Sequence, residues 1–147
     1  MDNLIQSFVE SFYFYLPQYP KEVPSFSQIY LENKLVSEKF NCVEEKNSSL
    51  AHSEIECIQL AINKLKIRYL NNCSLITTLE PCLLCSGAII LSRIKSVYYF
   101  IPSDSGISLS SIPIEGIISL NHFPEIKLIP NKNIQLILKN FFKDKRF

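Results

Sequence analysis

A chain of 147 residues, 47% hydrophobic and 20% charged, suits one soluble domain that packs its own core and needs no disulfide or metal in place of packing. A formal net charge of +1 argues against a broad nucleic-acid-gripping surface, and five cysteines, an odd number, argue against a disulfide framework and for reduced thiols in a cytoplasm. No apolar run approaches the roughly twenty residues that span a bilayer, and the start Met1-Asp2-Asn3-Leu4-Ile5 lacks a positive leader region, so neither a membrane span nor a secretory signal is expected.

Leu4, Ile5, Phe8, Phe12 and Tyr15 recur at helical spacing, predicting an amphipathic helix over residues 3–16 that Pro17 ends. After a proline-rich connection, residues 26–31 and 34–40 read as two strands joined by the tight turn Glu32-Asn33. The polar stretch from Glu44 to Ser49 leads to His52, from which Ile55, Ile58, Ile62, Leu65 and Tyr69 mark a helix with one buried stripe. Ser74 to Thr78 reads as a short strand. Cys82 to Arg93, apolar nearly all round, suits a helix buried in the core, and Ser96 to Ile101 is a strand of aromatic and branched residues. Residues 102–124 form a long connection with room for one short helix, before a strand from Glu125 to Ile129 and a closing helix from Asn133 to Lys145. This order predicts an α/β fold: a three-layer α/β/α sandwich on a mixed five-stranded sheet, with a right-handed parallel crossover between Ser74 and Ile101, in one domain over residues 1–147.

Two fragments carry the chemistry, His52-Ser53-Glu54 and Pro81-Cys82-Leu83-Leu84-Cys85. One imidazole and two thiolates supply three protein ligands to zinc, which leaves the fourth tetrahedral position open, as in a catalytic rather than a structural site. Cysteines three apart share a helical face. A helix N-terminus, with its partial positive charge, favours the thiolate form, and Pro81 tolerates that position because its missing N–H is not needed there. In a first helical turn side chains tilt back toward the N-terminus, so His52 and Glu54 can converge beyond the helix end. Glu54 is the candidate proton carrier beside a zinc-activated water. The pattern H-x-E followed by P-C-x-x-C is the signature of zinc-dependent nucleobase deaminases. Cys42, Cys57 and Cys73 are expected to be ordinary buried cysteines, since the ligand shell is already filled. A redox dithiol would need no H-x-E motif at the start of a second helix.

These motifs resemble the bacterial tRNA-specific adenosine deaminases of the cytidine deaminase-like superfamily. Thr78-Leu79-Glu80-Pro81-Cys82-Leu83-Leu84-Cys85-Ser86-Gly87-Ala88 is close to the family's T-L-E-P-C-x-M-C-x-G-A segment. Glu22-Val23-Pro24, Ser92-Arg93-Ile94, Asn121-His122 with Glu125, and Phe141-Phe142 extend the resemblance over nearly the whole chain. It implies a cytidine deaminase-like fold, one Zn2+ per subunit held by His52, Cys82 and Cys85, and Glu54 as proton shuttle. It further implies Asn41 as a hydrogen-bonding residue for the bound nucleoside, a homodimer, and action on the wobble adenosine of a tRNA anticodon arm, that of arginine tRNA. For Asn41, closing a turn after a strand is the plainer alternative.

The chain departs from the family in places. Ser53 stands for the usual alanine. Ser25-Phe26-Ser27 replaces X-Gly-Ala, which is expected to bring a bulky residue near the pocket wall. Ser103-Asp104-Ser105-Gly106 is one residue shorter than the family's D-x-K-x-G and lacks its lysine. Lys139, Lys143, Lys145 and Arg146 form either a solvated face or a contact to RNA phosphates. A small-molecule deaminase for cytosine, cytidine, a deoxynucleotide or guanine would use the same zinc chemistry. A non-catalytic partner subunit typically loses the glutamate that is present here.

Overall fold

Strand alternation and helix periodicity build a sheet with a core on each face. The computed structural model describes residues 1–104 and 106–145. Five strands, β1 (Phe26–Leu31), β2 (Lys34–Phe40), β3 (Cys73–Leu79), β4 (Ser96–Ile101) and β5 (Glu125–Leu128), form one mixed sheet in the order β2-β1-β3-β4-β5. β1 is antiparallel to both β2 and β3, whereas β3, β4 and β5 run parallel. Glu32, at φ 55, turns the hairpin, and a register shift between Ile29 and Tyr30 leaves Val36 as the extra residue on β2.

The helices are α1 (Asp2–Tyr15), α2 (Val43–Lys46), α3 (Ser53–Leu65), α4 (Leu83–Leu91), α5 (Ile114–Leu120) and α6 (Lys132–Lys145). Ile29, Leu75 and Val97 pack with Cys57, Ile58 and Ala61 of α3 and Ile89 of α4. On the opposite face Phe26, Tyr30, Ile76 and Phe100 pack with Phe8 and Phe12 of α1 and Ile134 of α6. The Phe8 ring stacks on Phe100 at 5.2 Å between centroids and lies 5.2 Å from Phe26. Alternate strand residues point to opposite faces, so each central strand feeds both cores. The expected mixed five-stranded α/β fold is the one observed, with α4 in the parallel β3–β4 crossover.

Two details differ from the sequence-based expectations. The polar stretch before His52 holds the short helix α2, closed by Asn47 at φ 47. The helix expected to reach Tyr69 stops at Leu65, because Lys66 turns left-handed at φ 55 and its N–H bonds to Ile62. Tyr69 instead lies under the Arg93 guanidinium, 5.0 Å from the ring centroid. The long connection does carry one short α-helix, α5, preceded by a 3₁₀ turn at Leu109–Ser111. Among the described residues no helix is long and apolar enough to cross a membrane.

Candidate active site

Two helix starts meet where β1 begins and β3 ends. His52 caps α3 in an extended conformation and Cys82 caps α4 likewise, so each side chain leaves its helix at the N-terminal end. Cys85, one turn into α4, comes to the same point. The site lies beyond the carboxyl end of β3, the position that open α/β sheets use for ligands. Pro81 fixes the approach: its carbonyl accepts from Ser86 Oγ at 3.1 Å and from Leu109 N at 3.0 Å.

His52 Nδ1 lies 3.5 Å from Cys82 Sγ and 3.5 Å from Cys85 Sγ, and all three atoms lie within 4.8 Å of one another. Zinc bonds of about 2.0 Å to nitrogen and 2.3 Å to sulfur at tetrahedral angles set an N···S edge of about 3.5 Å. The donor set therefore fits zinc in both chemistry and spacing. Hydrogen bonds from the Cys85 thiol and the His52 ring pull the Cys82 thiol down to about 3. The neighbouring Cys82 sulfur and burial push the Cys85 thiol far up, and the bond to Cys82 raises the His52 ring. Metal binding at this cluster requires both thiols as thiolates, so it would release the thiol proton that Cys85 retains.

Glu54, 4% exposed, stands beside this cluster with Oε2 3.5 Å from Cys85 Sγ. Burial raises its carboxyl above the usual carboxylate range, toward the values that suit a group taking and returning protons near neutrality. Thr77 Oγ1 donates to its Oε1 at 3.2 Å and Ser53 Oγ to its Oε2 at 3.3 Å. The cluster opens into a cavity of about 360 Å³ whose walls include Glu22, Val23, Ser25, Asn41, Leu79 and Glu80 with His52, Glu54 and Cys82. That is a size for a small ligand or a single extruded nucleotide.

All five residues singled out in the sequence converge here, Cys85 through its contacts to His52 and Glu54 and the others in the pocket wall. Asn41, 5% exposed, follows β2, and its backbone N–H donates to Ser25 O at 2.9 Å. The three other cysteines are buried, as expected, at 4% for Cys42 and 0% for Cys57 and Cys73. One expectation is reversed. Phe26 does not reach the pocket wall; it is 1% exposed in the core against α1, and its neighbour Ser25 lines the pocket.

The sequence reading passed over Glu22, whose carboxylate accepts from Asn41 Nδ2 at 3.0 Å and from Glu45 N at 2.8 Å. It also passed over the anchoring role of Glu80. That carboxylate accepts from Ser103 N and Ser110 N, both at 2.8 Å, and from Ser108 Oγ at 2.9 Å, tying down the loop after β4. Burial would raise the Glu80 carboxyl, but these bonds outweigh it and hold it low. Within the motif Ser103-Asp104-Ser105-Gly106, Ser105 lies outside the described residues. His122 Nε2 lies 2.9 Å from Ile94 O, a hydrogen bond that ties the segment after α5 to the turn before β4.

Residues 18–101 match the family model described as the cytidine and deoxycytidylate deaminase zinc-binding region. The tRNA-specific adenosine deaminase of Aquifex aeolicus is 36% identical over 126 residues, covering 85% of this chain and 83% of that protein. The enzyme of the same description from Buchnera aphidicola subsp. Schizaphis graminum is 36% identical over 140 residues, covering 92% and 90%. This chain belongs to the family of tRNA-specific adenosine deaminases, among the zinc-binding deaminases.

Membership makes it a zinc-dependent hydrolase. The fold agrees with that placement. A structure solved in work on A-to-I editing by tRNA:A34 deaminases superposes with a TM-score of 0.75 at 25% identity, covering 94% of this chain and 98% of that one. A guanine deaminase from Nitrosomonas europaea shares the fold at a TM-score of 0.70 and 22% identity, covering 88% of this chain and 81% of that one.

Proposed function

We propose that this chain is one deaminase domain over residues 1–147 that converts the wobble adenosine of a tRNA, with arginine tRNA as the expected substrate, to inosine and ammonia. The observation that carries the reading is the convergence of His52, Cys82, Cys85, Glu54 and Asn41 on one pocket in a chain 36% identical to enzymes of that description.

His52, Cys82 and Cys85 would hold one zinc per subunit. Zinc bound there supplies Lewis acidity, which lowers the pKa of a water toward neutrality and makes it a nucleophile. Glu54 takes a proton from the attacking water, passes it to the purine ring nitrogen, and assists departure of the amine as ammonia. Its buried site keeps competing solvent away from that proton. Asn41, tied to Glu22, would hydrogen-bond the nucleoside. Phe26 in the far core leaves the wall at this point to the small Ser25, so the departure from the family's X-Gly-Ala does not fill the pocket.

The target amine sits in an anticodon loop, where extruding an unpaired base is cheap. With a net charge of +1, recognition would be confined to the anticodon arm. Leu83, Leu84 and Leu91 are exposed on α4, the helix that carries Cys85, and an apolar face of that kind supports a homodimer. Five free cysteines suit work in the cytoplasm.

The test is incubation of the purified protein with an arginine-tRNA anticodon stem-loop bearing adenosine at the wobble position, beside a panel of free bases and nucleosides. Inosine in the stem-loop supports the reading. Efficient turnover of free cytosine or guanine with no inosine in the RNA would overturn it.

A further inference from the structure

A closed ring of buried hydroxyls ends on the two carboxylate oxygens of Glu54. Ser53 Oγ reaches Oε2 at 3.3 Å and Thr77 Oγ1 reaches Oε1 at 3.2 Å. Ser27 Oγ joins them, 2.8 Å from Ser53 Oγ and 2.8 Å from Thr77 Oγ1. Ser25 Oγ, in the pocket wall, adds a tether 2.9 Å from Ser53 Oγ. Thr77 has one hydroxyl hydrogen, so the Phe26 carbonyl, 3.3 Å from Oγ1, is a competing acceptor to Glu54, and Ser27 likewise donates to either Ser53 or Thr77.

Ser27, Ser53 and Thr77 are each 0% exposed, and they come from three different elements, β1, α3 and β3. A hydroxyl buried between packed elements costs desolvation unless it is bonded, and a small apolar side chain would fill the same place without that cost. Here the bonding is directed at one another and at a single carboxylate. Gripping both oxygens stops rotation of the carboxylate plane, and catalysis is sensitive to that freedom, since displacements of about 1 Å can cost on the order of 10²-fold in rate.

We propose that Ser27, Ser53 and Thr77 are positioning residues that lock the Glu54 carboxylate in the orientation needed beside the His52–Cys82–Cys85 cluster. The inference rests on the role proposed for Glu54. Ser25 joins the ring to the pocket wall, so a base seated in the pocket would press on the same network.

The experiment measures kcat, KM, zinc content and thermal midpoint for Ser53→Ala, Ser27→Ala, Thr77→Val, Thr77→Ser and Glu54→Gln, with the wobble-adenosine stem-loop as substrate. Ser53→Ala, Ser27→Ala and Thr77→Val should each lower kcat about ten-fold, the loss of one well-placed hydrogen bond, with KM and zinc content near wild type. Thr77→Ser, which keeps the hydroxyl, should restore kcat even if its thermal midpoint drops. Unchanged kcat in the two serine variants overturns the inference. So does a loss of rate that tracks loss of zinc or of folding, or a Thr77→Ser protein as slow as Thr77→Val. If a serine variant fails to fold, the Thr77 pair decides. A slow Glu54→Gln with fast serine variants overturns the ring alone, whereas a Glu54→Gln as fast as wild type overturns the proton-carrier role and the ring with it.

Discussion

Asn41 Nδ2 donates to Glu22 Oε2 across 3.0 Å, and the other oxygen of Glu22 accepts from the Glu45 N–H at 2.8 Å. One buried carboxylate thus joins the residue after β2 to the first turn of α2, and it orients the Asn41 amide at the pocket wall. In Glu22→Gln the new amide offers hydrogens where acceptors were used. We expect KM for the stem-loop substrate to rise about ten-fold, as for the loss of one charge-assisted hydrogen bond, with zinc content unchanged. Steady-state kinetics beside metal analysis checks this, and an unaltered KM would mean that Asn41 does not touch substrate.

Cys82→Ala and Cys85→Ala should each lose the metal and lower the thermal midpoint, because the energy of binding a metal is also energy of folding. A strong chelator should do the same to the wild type. Zinc quantification and thermal melts measure both, and a Cys85→Ala protein with full zinc and activity would refute the ligand set.

Glu54→Ala removes the carboxylate beside the cluster and leaves all three ligand side chains in place. Zinc and fold should be retained while turnover falls by at least about 10²–10⁴-fold, the usual contribution of a general acid–base group. Near wild-type turnover would exclude Glu54 as the proton carrier.

Burial pushes the Cys57 thiol from 9.0 up to about 12. The raised value means that the folded state keeps its proton where the unfolded state has lost it. The resulting stabilisation is complete below about pH 9 and declines as pH rises from there toward 12. Denaturation at several pH values, for wild type against Cys57→Ala, should show the steeper alkaline loss in the wild type. Native protein at pH 8 should also resist labelling of Cys57 by a thiol reagent, because the reactive thiolate is scarce and shielded; prompt labelling would contradict it.

Lys143 and Lys145 lie in the last turn of α6, with Lys145 Nζ 5.6 Å from the centre of the Phe141 ring, and Arg146 lies outside the described residues. Replacing all three by alanine should weaken RNA binding and reduce the salt slope by roughly 0.7–0.9 per lost phosphate contact, with zinc content unchanged. Binding titrations over a range of salt concentrations measure the slope. An unaltered slope would make these residues a solvated tail.

The sequence by itself determined the layers of the fold and which three residues come together as candidate metal ligands. Those signals are local: His52 and Cys82 sit beside helix starts, three-residue spacing puts Cys82 and Cys85 on one face, and the central strands are short runs rich in apolar, aromatic and branched residues. Phe26 shows how far that legibility went. Period-two alternation already separates Phe26 from Ser25 and Ser27, but which face meets the pocket depends on where α1 and α3 pack. The early end of α3 had no proline or glycine to announce it; Lys66 takes a left-handed backbone only in its tertiary setting. Glu22, Ser27 and Thr77 were unreadable as site residues because their partners lie far off in sequence: Asn41 for Glu22, Ser53 for Ser27 and Glu54 for Thr77. A buried carboxylate or hydroxyl takes its meaning from what it bonds, and only the pairing of β1 with β2 and the packing of β1, β3 and α3 bring those partners within reach.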